Sequence, residues 1–171
     1  MTINKASVKL IWNDHGTAGG NLVKDEYGKV TKYIKFIRHD LLDDKILTKV
    51  VKECDLVFHL AGNVYVRKGH LNTEVDFLNN IVATRNVLES MRDNDNCKKI
   101  IFTSSSVVYG EPLVIPTPEN YGPLNPISLY GASKLAYKAL LSGYVGTCGI
   151  EAVIFRLANV VGSSSGHGCN I

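Results

Sequence analysis

The run Ile101-Phe102-Thr103-Ser104-Ser105-Ser106-Val107-Val108-Tyr109-Gly110, followed further on by Tyr130-Gly131-Ala132-Ser133-Lys134, decides how this chain reads. Lys99 to Thr103 has the apolar, β-branched and aromatic make-up of a buried strand, and a cluster of serines ends it. Glu111 to Pro126 is a loop that holds all five prolines of the chain. Ser128 to Val145 then reads as a helix, ended near Gly146 and Gly149. Its opening turns carry Tyr130 and Lys134, a four-residue step that puts both on one helix face. Polar residues at the C-terminal end of such a strand stand where open α/β sheets take their ligands.

The same alternation extends outward in both directions. Val8 to Trp12 reads as a short strand, and Asn13 to Asn21 as a loop rich in turn formers. Tyr33 to Ile37 is a second strand, and Leu42 to Val51 has helical spacing with Ile46, Val50 and Val51 apolar. Asp55 to Leu60 is a buried strand that runs into Ala61-Gly62-Asn63. Thr73 to Arg92 is the clearest helix: Leu78, Ile81, Val82, Leu88 and Met91 recur at three- and four-residue steps, and Asp93 and Asn94 stop it. Ala152 to Leu157 is the last strand, and the Gly/Ser-rich tail from Gly162 to Ile171 is expected to fray. Continuous apolar strands alternating with helices predict an α/β fold with a parallel sheet covered on both faces. No internal repeat and no linker divides the 171 residues, a length that suits one domain.

Composition excludes several classes of function. A net charge of +3 with scattered lysines gives no footprint for nucleic acid. Cys54, Cys97, Cys148 and Cys169 lie far apart with no zinc-ligand spacing and no disulfide framework, so reduced thiols in a soluble cytoplasmic protein are expected, and no metal. No apolar run approaches the length that spans a membrane, and Met1 to Leu10 lacks the apolar core of a signal peptide.

Tyr-x-x-x-Lys is weak evidence by itself. With eight Tyr and fourteen Lys, chance supplies ~0.65 such pairs in a chain of this length. Its surroundings give it weight: the pair opens a helix after a Pro/Gly-rich loop, and the serines end a parallel strand. The chemistry is coherent. Deprotonating a sugar hydroxyl near neutral pH calls for a base stronger than a carboxylate, and a phenol has a pKa near 10. A Lys ammonium and a nicotinamide cation nearby would favour the phenolate. Ser105 can hold the same hydroxyl by a hydrogen bond while hydride leaves the carbinol carbon.

At these residues the chain resembles the extended short-chain dehydrogenases/reductases, the NAD-dependent epimerase/dehydratase family, and within it the UDP-glucose 4-epimerase subgroup. The matching segments are Val57 to Asn63, Asn80 to Glu89, Phe102 to Gly110, Pro123 to Lys134 and Phe155 to Gly162, five in collinear order. The resemblance implies a Rossmann-like, doubly wound parallel sheet that binds NAD, and a nucleotide-sugar epimerase that oxidises a UDP-sugar transiently at C4 with a Tyr base. It implies roles for single residues. Tyr130 is the base, Lys134 binds the nicotinamide ribose, and Ser105 assists and contacts the substrate. Asp40 and Leu41 sit where the family holds the adenine ring, and Leu60, Ala61 and Gly62 line the pyrophosphate and nicotinamide-ribose path. Asn80 buttresses neighbouring strands or the cofactor, Ala158 lies near the nicotinamide, and Asn159 touches the sugar nucleotide. Blander readings stand beside these: Asp40 as a helix cap, Asn80 as a structural amide, and His59, inside a buried strand, as a core histidine. A homodimer through the helices 73–92 and 128–145 is also an expectation from resemblance.

The chain departs from the family at its amino-terminal side, where a strand and Gly-x-x-Gly-x-x-Gly are expected. Only Gly16-Thr17-Ala18-Gly19-Gly20 is present. In one alignment Val8 to Trp12 is the family's second strand, Asn13 or Asp14 replaces the acidic ribose-binding residue, and the first strand and its glycine loop are absent. In the other, Gly16 and Gly19 are the last fingerprint glycines and the second strand is lost. The first keeps the spacing to Asp40 without a gap. The reading is then a single partial NAD-binding domain over 1–171, with weak cofactor binding and no carboxy-terminal substrate domain. The alternatives are a 4,6-dehydratase, decarboxylase or reductase of the same family, or an inactive remnant serving as an interaction module. The dehydratase ranks lower, because Ser105-Ser106 stands where that group carries an Asp-Glu pair.

Overall fold

The structure, a computed structural model, describes residues 8–12, 34–63 and 71–160. Strands β1 (Val8–Trp12) and β2 (Ile34–Arg38) pair in parallel, Val8 opposite Ile34 through Trp12 opposite Arg38. Helix α1 (Asp44–Val51) leads to β3 (Leu56–His59). A short helix α2 (Thr73–Asp76) continues through a π-helical stretch, Phe77–Val82, into α3 (Ala83–Arg92). Strand β4 (Lys99–Ser105) ends in a 3₁₀ turn, Ser106–Tyr109, and α4 (Leu129–Cys148) precedes β5 (Glu151–Leu157). Strands β3, β4 and β5 form a second parallel ladder with β4 in the middle. The alternation of strand and helix is the α/β pattern expected from the sequence.

Short polar side chains set the helix boundaries. The Asp43 carboxylate caps α1 by accepting the Lys45 N–H at 3.2 Å. Asp40, read from sequence as an alternative helix cap, instead accepts the Leu42 N–H at 2.9 Å and tightens the turn before the helix. Ser128 caps α4 by accepting the Gly131 N–H at 3.1 Å. That helix runs through Gly146 and stops at Gly149, whose φ of +66° is the left-handed conformation that terminates helices.

The core lies between the β3–β4–β5 ladder and the helices α1, α3 and α4. Ile100 and Phe102 project from β4 against Val87, Leu88 and Met91 of α3 and Tyr137 and Leu141 of α4. Phe102 stacks on Tyr137 with ring centroids 4.7 Å apart. Each such fully buried side chain contributes roughly 1.5–3 kcal/mol. The opposite face of the same ladder presents Phe58, Leu60, Val153, Phe155 and Leu157 to solvent.

The two ladders discriminate between the two alignments. In a doubly wound sheet of strand order 3-2-1-4-5-6, strand 2 pairs with strand 3, and strand 1 lies between strands 2 and 4. Here β1 pairs with β2, and β3 begins a separate ladder. That is the pattern left when the first strand is missing; loss of the second strand would leave β1 to pair with β3. Among the described residues no strand joins the two ladders.

The predicted helix 73–92 is corrected in two respects. It is interrupted by the π-helical stretch, and its first half does not bury the apolar residues that suggested it. Leu78 is exposed and Ile81 and Val82 are half-buried, whereas Asp76, Asn80 and Thr84 face inward. The i→i+5 bonding of a π stretch shifts the phase of the face that follows. The apolar stripe turns inward only from Ala83 to Met91.

Candidate active site

Three chain segments meet at the C-terminal end of β3 and β4: the Leu60-Ala61-Gly62-Asn63 turn, the Ser104-Ser105 strand end, and the first turns of α4. Their meeting follows from the parallel register, because β3 and β4 point the same way and α4 returns antiparallel across them. Gly110 holds the chain as it leaves the 3₁₀ turn. Its φ is +67°, and a Cβ there would fall 2.0 Å from the Asn125 carbonyl oxygen, so the loop back to α4 passes directly over it.

Ser105, Tyr130 and Lys134 are brought together. The Ser105 hydroxyl accepts the Val107 N–H at 3.5 Å and stands near enough to the Tyr130 phenol to favour its ionised form. Lys134 is 5% exposed, and its Nζ donates to the Thr103 carbonyl at 3.3 Å. That Nζ lies 5.6 Å from the Tyr130 ring and 5.3 Å from the rings of Phe102 and Tyr137. Burial lowers the Lys134 ammonium to about 8, with the charge of Asp76 opposing the fall. The Tyr130 phenol is pushed up by burial, pulled down by the Ser105 hydroxyl, and pushed up again by Asp76. The lowered phenol pKa expected from sequence is therefore not a property of this chain alone: burial outweighs the effect of Ser105.

Asn80 stands at the centre of the polar network. Its Oδ1 accepts the Asn63 N–H at 2.8 Å, and its Nδ2 donates to Ser133 Oγ at 2.7 Å and to Asp76 Oδ1 at 3.3 Å. Asn63 Nδ2 donates to the same Asp76 oxygen at 2.8 Å. A Cβ at Gly62 would lie 2.9 Å from Asn80 Oδ1, which would have to shift, and 3.4 Å from Lys134 Nζ, in ordinary contact. Behind the network, His59 Nε2 meets Thr84 Oγ1 at 2.8 Å and Tyr137 Oη at 3.3 Å. Thr84 gives its one hydroxyl proton to the Asn80 carbonyl at 2.7 Å, so Nε2 of His59 carries the ring proton. Burial, then the charge of Lys134, lowers His59 to about 3, and it is a neutral core histidine.

The remaining sequence-predicted residues are dispersed. Asp40 and Leu41 follow β2, away from the Ser105–Tyr130 pair in the chain. Leu41 is buried in the core, and its carbonyl accepts from Asn86 Nδ2 at 3.0 Å. Leu60 is exposed, and Ala61 and Gly62 are half-buried. Leu157 is paired with Ser105, so Ala158 and Asn159 emerge at the same sheet end, exposed. Asn13 and Asp14 lie outside the described residues. The sequence reading missed Asp76, Asn63 and Ser133. Asp76, Asn80 and Thr84 recur every four residues, but other polar residues of the same stretch, among them Glu74, Asn79 and Arg85, hide that stripe in the sequence.

The donor set fits the ribose end of a dinucleotide. Lys134 uses one of its three N–H groups on the Thr103 carbonyl and has others to give, beside a phenol and a serine hydroxyl. Among the described residues no glycine-rich turn at a helix start offers the backbone donors a pyrophosphate requires. The described residues hold no cluster of ligands that would bind a metal, and no helix long and apolar enough to cross a membrane.

Comparison with known proteins bears on the same segments. The model of the NAD dependent epimerase/dehydratase family matches residues 3–170. A relative from Methanocaldococcus jannaschii is 34% identical over 156 residues, which are 90% of this chain and 51% of the relative. The UDP-glucose 4-epimerase of Halalkalibacterium halodurans is 31% identical over 145 residues, 84% of this chain and 42% of that protein. A crystal structure of a UDP-galactose 4-epimerase superposes with a TM-score of 0.78 at 36% identity, covering 95% of this chain and 51% of that one. The chain thus spans about half the length of the curated relatives it matches.

Proposed function

We propose, from the premise that the chain belongs to the NAD dependent epimerase/dehydratase family, that it is the catalytic half of a UDP-sugar 4-epimerase acting on UDP-glucose and UDP-galactose. The observation that carries the reading is the junction of Ser105, Tyr130 and Lys134 at one sheet end. Bound NAD supplies the hydride acceptor and, on return, the hydride donor. The chain's residues do the rest. Ser105 holds the sugar hydroxyl and orients its proton toward Tyr130 Oη. Tyr130 takes that proton as base and returns it as acid. Lys134 keeps the ribose in place and lends positive charge to the phenolate while it exists. Asn159 reaches the sugar nucleotide, Ala158 and the Leu60-Ala61-Gly62 turn border the nicotinamide side, Asp40 and Leu41 border the adenine, and Asn13 or Asp14 the other ribose. Cofactor affinity is weak, because the described residues offer few phosphate donors.

Related members that remove water or carbon dioxide share the same base. Ser105-Ser106 favours the epimerase, since neither hydroxyl can serve as the acid–base pair of a dehydration. The gap between the two ladders favours a second reading, a unit that binds but does not turn over. Two copies pairing through the helices 73–92 and 128–145 is part of the proposal; the groove between α3 and α4 is lined by Leu140, Gly143 and Tyr144 with Glu89 and Arg92. Cys97 and Cys148 are free thiols, in keeping with a cytoplasmic setting.

The deciding experiment incubates the purified chain with NAD and either UDP-hexose and follows bound cofactor and interconversion. Interconversion that falls by roughly 10²–10⁴-fold in Tyr130→Phe, with NAD still bound, is the expected result. NAD binding with no interconversion leaves the binding-only reading. A keto-deoxy product turns the assignment to a dehydratase, and the absence of both binding and turnover overturns the enzymatic reading for this chain.

A further inference from the structure

Lys134 is a cation removed from water. One N–H goes to the Thr103 carbonyl, and the rings of Phe102, Tyr137 and Tyr130 lie about it. Ring faces attract an ammonium by about a kcal/mol or two, less than its lost hydration. Among the described residues, the titratable groups around it are His59 on β3, Tyr130 and Tyr137 on α4, and Asp76 at the end of α2. His59 is neutral and the two phenols carry no charge at neutral pH. Asp76 is the one carboxylate among them.

Asp76 is buried in turn, at 2% exposure. Its Oδ1 accepts from Asn63 Nδ2 and Asn80 Nδ2, and its Oδ2 has no hydrogen-bond partner. An orphaned, buried carboxylate oxygen is costly unless a cation is near enough to offset it. Asn80, which takes Asp76 on one amide hydrogen, gives the other to Ser133, the residue before Lys134. Gly62 brings the two ends together, since a Cβ there would touch both Asn80 Oδ1 and Lys134 Nζ. A bare carboxylate oxygen and an ammonium with donors to spare thus belong to one water-poor cluster, and each lessens the desolvation cost of the other.

We propose that Asp76 is a positioning residue of the active site: the buried counter-charge that keeps Lys134 an ammonium beside Tyr130, held in place by the Asn63–Asp76–Asn80–Ser133 chain of hydrogen bonds. The same negative charge disfavours the Tyr130 phenolate. Asp76 therefore helps the reaction only while Lys134 keeps its proton. A neutral amine at that place would supply a donor for ribose but no field for the phenolate. The inference rests on reading Lys134 as part of the site, and its test requires neither cofactor nor sugar.

The test is a pH titration of the full chain carrying ¹³Cε-labelled lysine, with the Lys134 resonance identified by its loss in Lys134→Met. In Asp76→Asn the Lys134 midpoint is expected to fall by about one pH unit or more. In Asp76→Glu, which restores the charge, it recovers most of that fall. A merely structural role is met by the amide, which still accepts from Asn63, so an unchanged midpoint in folded Asp76→Asn overturns the proposal. So does an equal fall in Asp76→Glu. Should Asp76→Asn not fold, the wild-type chain decides: the Asp76 carboxyl carbon must respond as Lys134 loses its proton, and a resonance that stays flat through that midpoint overturns the proposal. A chain that fails to bind NAD yet passes this test retracts the epimerase reading alone; one that interconverts UDP-hexoses yet fails it retracts the role of Asp76 alone.

Discussion

The two faces of the β3–β4–β5 ladder are equally apolar and fare differently. Ile100 and Phe102 lie under α3 and α4 and are almost wholly buried. On the other side, Phe58 is 61% exposed and Phe155 51%. Strand β5 makes the contrast sharpest. Its covered side carries Ala152 and Ile154, and its bare side the bulkier set Val153, Phe155 and Leu157. The register aligns Phe58, Ile101 and Val153 in one row across that bare side. Such strands are composed for a sheet covered twice. The crossover helices α3 and α4 come from the connections between neighbouring strands, so they cover their face whenever the strands form. Cover for the second face must come from chain that the ladder's own crossovers do not supply.

The contrast breaks most visibly on the covered side. Phe102→Ala removes a ring that is 1% exposed and stacked on Tyr137, and is expected to destabilise the chain by about 3–5 kcal/mol. Urea unfolding at neutral pH measures it. A loss below about 1 kcal/mol would mean that the helix-covered layer is not the folded core.

His59 sharpens the contrast as a function of pH, because it too lies on the covered side, opposite Phe102 in the ladder. Burial holds it neutral, at about 3 instead of 6.5. Between those values the unfolded chain binds a proton that the folded chain refuses. The stabilisation is complete above pH 6.5 and is lost as pH falls toward 3. One pH unit of that window is worth about 1.4 kcal/mol, so the unfolding free energy from urea titration should drop by roughly 2 kcal/mol between pH 6.5 and 5. His59→Leu should flatten that slope, although the lost bond to Thr84 lowers stability at every pH. An equal slope in the variant would place the acid sensitivity elsewhere.

Sequence reading served the covered face well and the site in part. Strand boundaries fell within two residues, because apolar runs bounded by turn formers are local signals. Ser105, Tyr130 and Lys134 could be named because strand end and helix start are set by the serines, Ser128 and a four-residue step. Asp76 could not. The period of a helix is read from its apolar residues, and here the buried stripe is polar until Ala83, with a π-helical stretch shifting its phase. The break between ladders was legible only as two competing alignments, since pairing partners of parallel strands are far apart in sequence. Which face of the β3–β4–β5 ladder lacks cover was not legible at all, because both faces of its strands carry large apolar residues.

The smallest expected effect is on the bare face, and it tests the contrast most directly. Phe58→Thr and Phe155→Thr exchange large exposed rings for a polar residue that favours extended backbone. Neither ring belongs to the buried core. Each change should therefore shift the unfolding free energy by no more than about 0.5 kcal/mol. Exposed apolar rows that lie side by side favour association between molecules, so the double variant should instead lower light scattering at high concentration. Both outcomes follow from one premise, that water reaches this face in the isolated chain. A loss of 2 kcal/mol or more for either substitution contradicts it, and would mean that something covers the rings in solution. The two faces of the ladder would then differ in which segment covers them and no longer in whether they are covered.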